Sequence, residues 1–211
     1  MNIPQHILQH YLRNTFFFCG TACAGKSTIS KALAEKHNFH WLDENVINYK
    51  FAGLAPPQSA EYSPTDWTEH FQRPVEEYWA WLEKNCEEQF PLTVLEAIQL
   101  SADKPVAVDC AAPVHVVLEF LPPENAIFLI TDAERAARVN LTRPDHQDLA
   151  MFIKSLPQAN EITENIYKLF VYGNTLRQEA IRASGTFFIE RTDDSTVENM
   201  LAEVERYFKI A

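Results

Sequence analysis

Residues 15–37 read TFFFCGTACAGKSTISKALAEKH: a short apolar run, a loop framed by Gly20 and Gly25, and then apolar residues at helical spacing. Gly20-x-x-x-x-Gly25-Lys26-Ser27 is the full phosphate-binding loop pattern, and the strand before it and helix after it are the context that pattern requires. The glycines let backbone N–H groups turn inward on a polyphosphate. The helix that starts at Gly25 or Lys26 adds its unpaired amides and the positive end of its dipole. Gly20, Thr21, Ala22, Cys23, Ala24 and Gly25 are therefore expected to wrap the phosphates of ATP. Lys26 is expected to neutralise the β- and γ-phosphates, Ser27 to ligate Mg²⁺, and Thr28 to touch the α-phosphate.

The rest of the chain alternates strands and helices. FHWLD (39–43), PVAVDC (105–110), AIFLIT (126–131) and GTFFIE (185–190) are short apolar or β-branched runs, the kind found in buried parallel strands. Helical patterns lie between and after them: a possible one through Val46, Ile47 and Phe51, then DAERAARVNL, a long run over 159–184, and a final helix expected to be capped by Ser195. Pro74 and Pro91 predict two helices within 74–102, the second proline breaking the pattern. Alternation of this kind specifies an α/β domain with a parallel sheet covered on both faces.

Phosphoryl transfer needs a metal and an oriented nucleophile, and in open α/β sheets ligands lie at the carboxyl ends of the strands. Two acids qualify. Asp109 ends the AVD run and is expected to hold the metal's water shell. Asp43 ends HWLD and is expected to accept the proton of an attacking hydroxyl, with Glu44 as the alternative base. The bland reading of either acid is a cap for the following helix. Arg135, Arg138 and Arg143 follow the AIFLIT strand, where arginines on a helix or loop can close over a nucleotide and stabilise charge in transfer; the bland reading pairs them with Asp132 and Glu134 on a solvated face. Arg135 is expected at the nucleotide.

The charge of −11 is unevenly placed, because residues 41–103 hold twelve acids against Lys50, Arg73 and Lys84. Such a segment repels polyanions, so neither nucleic acid nor an anionic membrane surface is an expected partner. MNIPQHILQHYLRN has no basic flank before an apolar region, which makes a cytoplasmic location the expectation. Cys19, Cys23, Cys86 and Cys110 lack metal-ligand spacing and are expected as thiols. Trp41, Trp67, Trp79 and Trp81 lie in or beside the acidic stretch with Tyr62, Phe71 and Tyr78. They read as the core of a helical lobe, or as a site for a sugar, a ring or a cationic amine.

The loop, the second-strand Asp43, the third-strand Asp109 and the arginine cluster, in that order, resemble the nucleoside/nucleotide-kinase-like group of P-loop proteins, which includes shikimate and gluconate kinases. The resemblance implies a three-layer P-loop NTPase fold: a five-stranded parallel sheet, helices on both faces, a helical acceptor-binding lobe after the second strand and a lid after the fourth. Here it implies one domain over 1–211, with the lobe at 53–103 and the lid at 132–156. Asp43 looks like the acceptor-binding acid or base, Arg138 with Arg143 like the lid pair, and Arg191 to Asp194 like the border of the adenine. Arg143-Pro144 is similar to the Arg-Pro of shikimate kinase lids. The chain departs from that pattern in DCAAP after the third strand, in Cys23, and in a lid without glycine.

The expected function is an ATP- and Mg²⁺-dependent phosphotransferase acting on a hydroxyl of a small metabolite. A nucleoside monophosphate kinase is the alternative enzyme, although Arg73 offers little grip for an acceptor phosphate. A nucleotide-binding regulatory or interaction protein without transfer activity is the alternative of a different class.

Overall fold

In a computed structural model, residues 5–51 and 66–210 are described. Helix α1 (Gln5–Leu12) precedes the central strand β1 (Thr15–Gly20), which feeds the glycine loop and α2 (Lys26–His37). Next come β2 (His40–Asp43), α3 (Glu44–Phe51), α4 (Trp67–Phe71) and α5 (Val75–Leu100). They are followed by β3 (Val106–Asp109), α6 (Val114–Phe120), β4 (Ala126–Thr131) and α7 (Ala133–Asn140). The chain ends through α8 (Gln147–Ser155), α9 (Ala159–Ser184), β5 (Phe188–Arg191) and α10 (Val197–Phe208).

The five strands form one parallel sheet in the order β2-β3-β1-β4-β5. Side chains of β1 alternate between its two faces. Phe17 and Cys19 enter a core with Phe90, Val94, Val117 and Ile181 from α5, α6 and α9. Phe18 enters the opposite core with Ile29, Leu33, Met200 and Val204 from α2 and α10. The three expected layers are thus present. A third cluster joins Phe71, Tyr78, Ile153, Ile162, Ile166 and Leu169, so that α4, the start of α5, α8 and α9 share a core of their own.

Two local expectations are corrected. Pro91 does not divide the acidic stretch into two helices, because α5 runs unbroken from Val75 to Leu100. A proline removes one amide donor from a helix, and here Phe90, Val94 and Ala97, buried against the sheet, hold the rod together across it. Ser195 is not the cap of α10. That position belongs to Thr196, whose side chain accepts from Asn199 N, while Ser195 Oγ accepts from Thr192 N within the preceding turn. The stretch MNIPQHILQHYLRN, read only for targeting, supplies α1. The first part of the expected lobe, 53–65 with Tyr62, lies outside the described residues. No helix among the described residues is long and apolar enough to cross a membrane.

Gly173 sits inside α9 where the Trp79 ring of α5 packs on its bare backbone, and a Cβ there would stand 2.1 Å from Trp79 Cζ3. Gly173→Ala is therefore expected to destabilise the fold by about 1–3 kcal/mol through overpacking, despite alanine's helix propensity. Thermal unfolding checks this, and an unchanged midpoint would mean that Trp79 moves aside freely.

Candidate active site

The loop is shaped by contacts from three directions. Gly20, with φ +120°, lies so close to β4 that a Cβ would stand 2.0 Å from Leu129 O. The next amide, Thr21 N, donates to that same oxygen at 2.9 Å. Thr21 Oγ1 accepts from Thr131 N at 3.2 Å, and Ala22 N donates to Asn174 Oδ1 of α9 at 2.9 Å. Arg191, at the end of β5, donates to Cys23 O at 3.0 Å. Cys23 itself has φ +57°, a left-handed conformation that glycine adopts more easily. Gly25, with φ +96°, caps α2.

Lys26 opens α2, and its Nζ donates to Thr21 O at 2.8 Å, across the loop's own concavity. A pocket of about 330 Å³ lies over the loop, floored by Gly25, Lys26, Ser27 and Thr28 and walled by Thr131, Arg135, Arg143 and Arg191. Four cationic side chains around a helix N-terminus make this a polyanion site.

Behind the loop stand the acids. β2 and β3 pair so that Asp43 lies beside Asp109. Burial raises the Asp109 carboxyl above its ordinary value, opposed by Lys26 and a hydrogen bond from Ser27, with Asp43 pushing it further up and Arg143 pulling it down. A serine hydroxyl bonded to a carboxylate beside a lysine is an all-oxygen donor set that fits Mg²⁺.

Asp43 Oδ1 accepts from Asn45 N at 2.9 Å and from Asn45 Nδ2 at 2.8 Å, which gives it the helix-capping arrangement at the start of α3. Glu44 is the more perturbed acid. Desolvation lifts it from 4.5 to about 7, against the Ala111 N–H that its carboxylate accepts; Asp109 also raises it, while Lys26 and Arg177 lower it. The residue as a whole keeps some exposed surface.

The arginines separate. Arg135 and Arg143 line the nucleotide pocket. Arg135 is ion-paired with Asp193 of the turn before α10, and Arg143 approaches Cys23 Sγ at 3.9 Å. Arg138, expected as Arg143's lid partner, instead extends into solvent and pairs with Glu134 at 3.0 Å. The three-residue spacing does not bring Arg135 and Arg138 to the same pocket, because α7 is oriented with Ala136, Ala137 and Asn140 buried. Arg191, expected only at an adenine border, also grips the loop.

Sequence reasoning missed α9 altogether as a source of site residues. Its Asn174 holds the loop, its Gln178 Nε2 donates to Thr131 O at 2.7 Å, and its Arg177 reaches Gly20 O at 3.5 Å. Arg177 also pairs with Glu83 of α5, with Nε at 2.8 Å and Nη2 at 2.5 Å from Oε1, and lies 5.0 Å from the Trp79 ring centroid. The available signal was weak: Asn174 and Arg177 are three apart on one face of a strongly patterned helix.

No protein-family model and no curated protein matches the chain. Among solved structures, a shikimate kinase from Acinetobacter baumannii in complex with shikimate is similar at 16% identity and a TM-score of 0.50, covering 91% of this chain and 90% of that one. A gluconokinase from Sinorhizobium meliloti 1021 is 12% identical with a TM-score of 0.47, covering 93% and 92%. A dephospho-CoA kinase from Campylobacter jejuni is 16% identical with a TM-score of 0.43, covering 93% and 96%. The first likeness is one of fold alone, that of a five-stranded parallel sheet with helices on both faces.

Proposed function

We propose that the chain is an ATP- and Mg²⁺-dependent phosphotransferase that moves the γ-phosphoryl group to a hydroxyl of a small molecule. The observation that carries this reading is the desolvated Glu44 carboxyl beside a loop whose Lys26 and Ser27 both act on Asp109. A nucleotide-binding switch needs the loop and the metal acid, and the further buried carboxyl beside them favours a reading in which a proton is taken from an acceptor.

Mg·ATP supplies the transferable group and part of the charge neutralisation. Ser27 Oγ and Asp109 would hold the metal, Asp109 through its water shell. Lys26 leaves Thr21 O for the β- and γ-phosphates, and the amides at the start of α2 bind the same oxygens. Glu44, as carboxylate, takes the proton of the acceptor hydroxyl as that oxygen bonds to the γ-phosphorus. The bond from that phosphorus to the β,γ-bridging oxygen breaks, leaving ADP and a phosphorylated acceptor. Arg143 balances the charge that spreads over the phosphoryl oxygens, and Arg135 with Arg191 border the nucleotide. Arg138 enters this scheme only if the lid rotates, since it faces solvent in the present arrangement.

The test is phosphorus NMR of the chain with Mg·ATP and a panel of hydroxyl compounds. Appearance of ADP with a phosphomonoester supports transfer, whereas ATP binding with no phosphorylated product across the panel counts against it. Arg143→Ala is expected to lower kcat roughly 10²–10³-fold. An equal fall in nucleotide affinity with unchanged kcat would instead make Arg143 a binding residue only.

A further inference from the structure

A second cavity, of about 180 Å³, lies between α5, α6 and α9 and touches Gly20 at the start of the phosphate loop. Ala112 lines it, next in sequence to Ala111, whose N–H the Glu44 carboxylate accepts. The cavity therefore borders the loop at Gly20 and, at Ala112, stands one residue from the amide that bonds the proposed base. Its walls are mostly apolar, with Trp79, Pro113, Val114 and Ile181. Its polar groups are Glu83, Arg177 and His115, and each already has a partner.

Arg177 is the one arginine or lysine lining this cavity among the described residues, and each of its three guanidinium nitrogens has a partner. Nε and Nη2 go to Glu83 Oε1, Nη1 to Gly20 O, and Nη2 also meets Cys86 Sγ at 3.7 Å. Both of the Glu83 contacts fall on Oε1, and the Glu83 side chain is mostly buried. At the mouth His115 Nε2 lies 3.1 Å from Glu87 Oε1. An anionic acceptor would have to pull Arg177 off Glu83 and strand a buried carboxylate, which is strongly unfavourable, while a cationic one would set a second positive charge beside the guanidinium on the one carboxylate that lines the cavity. An uncharged hydroxyl compound leaves the pair intact, donates to the remaining lone pairs of Glu83, and packs its carbon skeleton on Trp79. The volume equals that of about six waters, which suits one small polyol or monosaccharide.

On these grounds, and resting on the kinase reading above, we infer that the phosphoryl acceptor is a small uncharged polyol or neutral sugar, selected by the closed Glu83–Arg177 pair against hydroxy acids and amino alcohols.

The experiment is calorimetric titration of the full chain, with Mg²⁺ and a non-hydrolysable ATP analogue bound, by glycerol, myo-inositol and D-glucose, and by D-gluconate and D-glucosamine as charged counterparts. At least one neutral probe is expected to bind some 10-fold or more tighter than its charged counterparts. In Glu83→Gln, which frees the Arg177 edge, the affinity ratio of D-gluconate to D-glucose is expected to rise at least ~10-fold. Tighter binding of D-gluconate or D-glucosamine than of D-glucose by the wild-type chain overturns the inference, as does failure of every neutral probe to bind. If the variant does not fold, the wild-type series alone decides. Failure of the ATP analogue to bind, or polyol binding without a phosphorylated product from Mg·ATP, defeats the kinase reading and leaves the selectivity result separately legible.

Discussion

Glu44→Gln is expected to slow transfer roughly 10²–10⁴-fold, the usual contribution of a positioned general base, and at the same time to make the nucleotide-free protein more stable at pH 8. Both effects come from one carboxyl. In the unfolded chain Glu44 has the ordinary value of 4.5, and in the folded chain desolvation lifts it to about 7. Between those values the folded state retains a proton that the unfolded state has released, so Glu44 makes stability fall as pH rises from about 4.5 through 7. An uncharged amide has no such dependence. The variant should therefore gain about 1–3 kcal/mol over the wild type above pH 8 and little near pH 4. Denaturant unfolding at the two pH values reads this directly, and a constant difference would show that Glu44 is not desolvated as described. In turnover, the wild type should lose activity as pH falls below 7 and Glu44→Gln should lack that limb. Asp43→Asn is the control: if it alone reproduces the loss, Asp43 is the base and its cap bond to Asn45 is secondary.

Lys26→Ala is expected to reduce kcat/KM for Mg·ATP by roughly 10³-fold or more, since a preorganised cation is lost where transferring charge develops. The fold should survive, because among the described residues the hydrogen bond of Lys26 Nζ goes to the Thr21 carbonyl of its own loop. A coupled ADP-release assay with a circular-dichroism check on folding tests both parts, and near-normal turnover in a folded variant would remove the loop from the chemistry.

The parts of this molecule legible in its sequence are those written in local periodicity. AIFLIT (126–131) matches β4 residue for residue, and the long pattern over 159–184 matches α9. The glycine loop was legible because each glycine answers a backbone demand: Gly20 for the close approach to Leu129, Gly25 for a left-handed cap. What remained hidden depends on residues far apart in the chain. Arg177 and Glu83 are separated by 94 positions, and nothing near either one announces the other. The continuity of α5 through Pro91 is likewise a tertiary effect, since local propensity argues for a break and packing on the sheet overrides it. Arg138 was expected in a lid pair with Arg143 from the resemblance, which fixes the order of residues along the chain but not which way α7 is turned.

The strand order also governs how the protein comes into being. β1 pairs with β3 and β4, and β2 pairs with β3, so both early strands wait for a partner that begins at Val106. During synthesis the glycine loop emerges long before any neighbour exists to shape it. The bond from Thr21 N to Leu129 O and the meeting of Ser27 with Asp109 form only after a further 108 and 82 residues have followed. Sequence-distant pairing of this kind slows folding, and it leaves the phosphate site among the last features to assemble. Nucleotide binding therefore reports completion of the sheet, and a fragment ending before Val106 should bind no nucleotide at all.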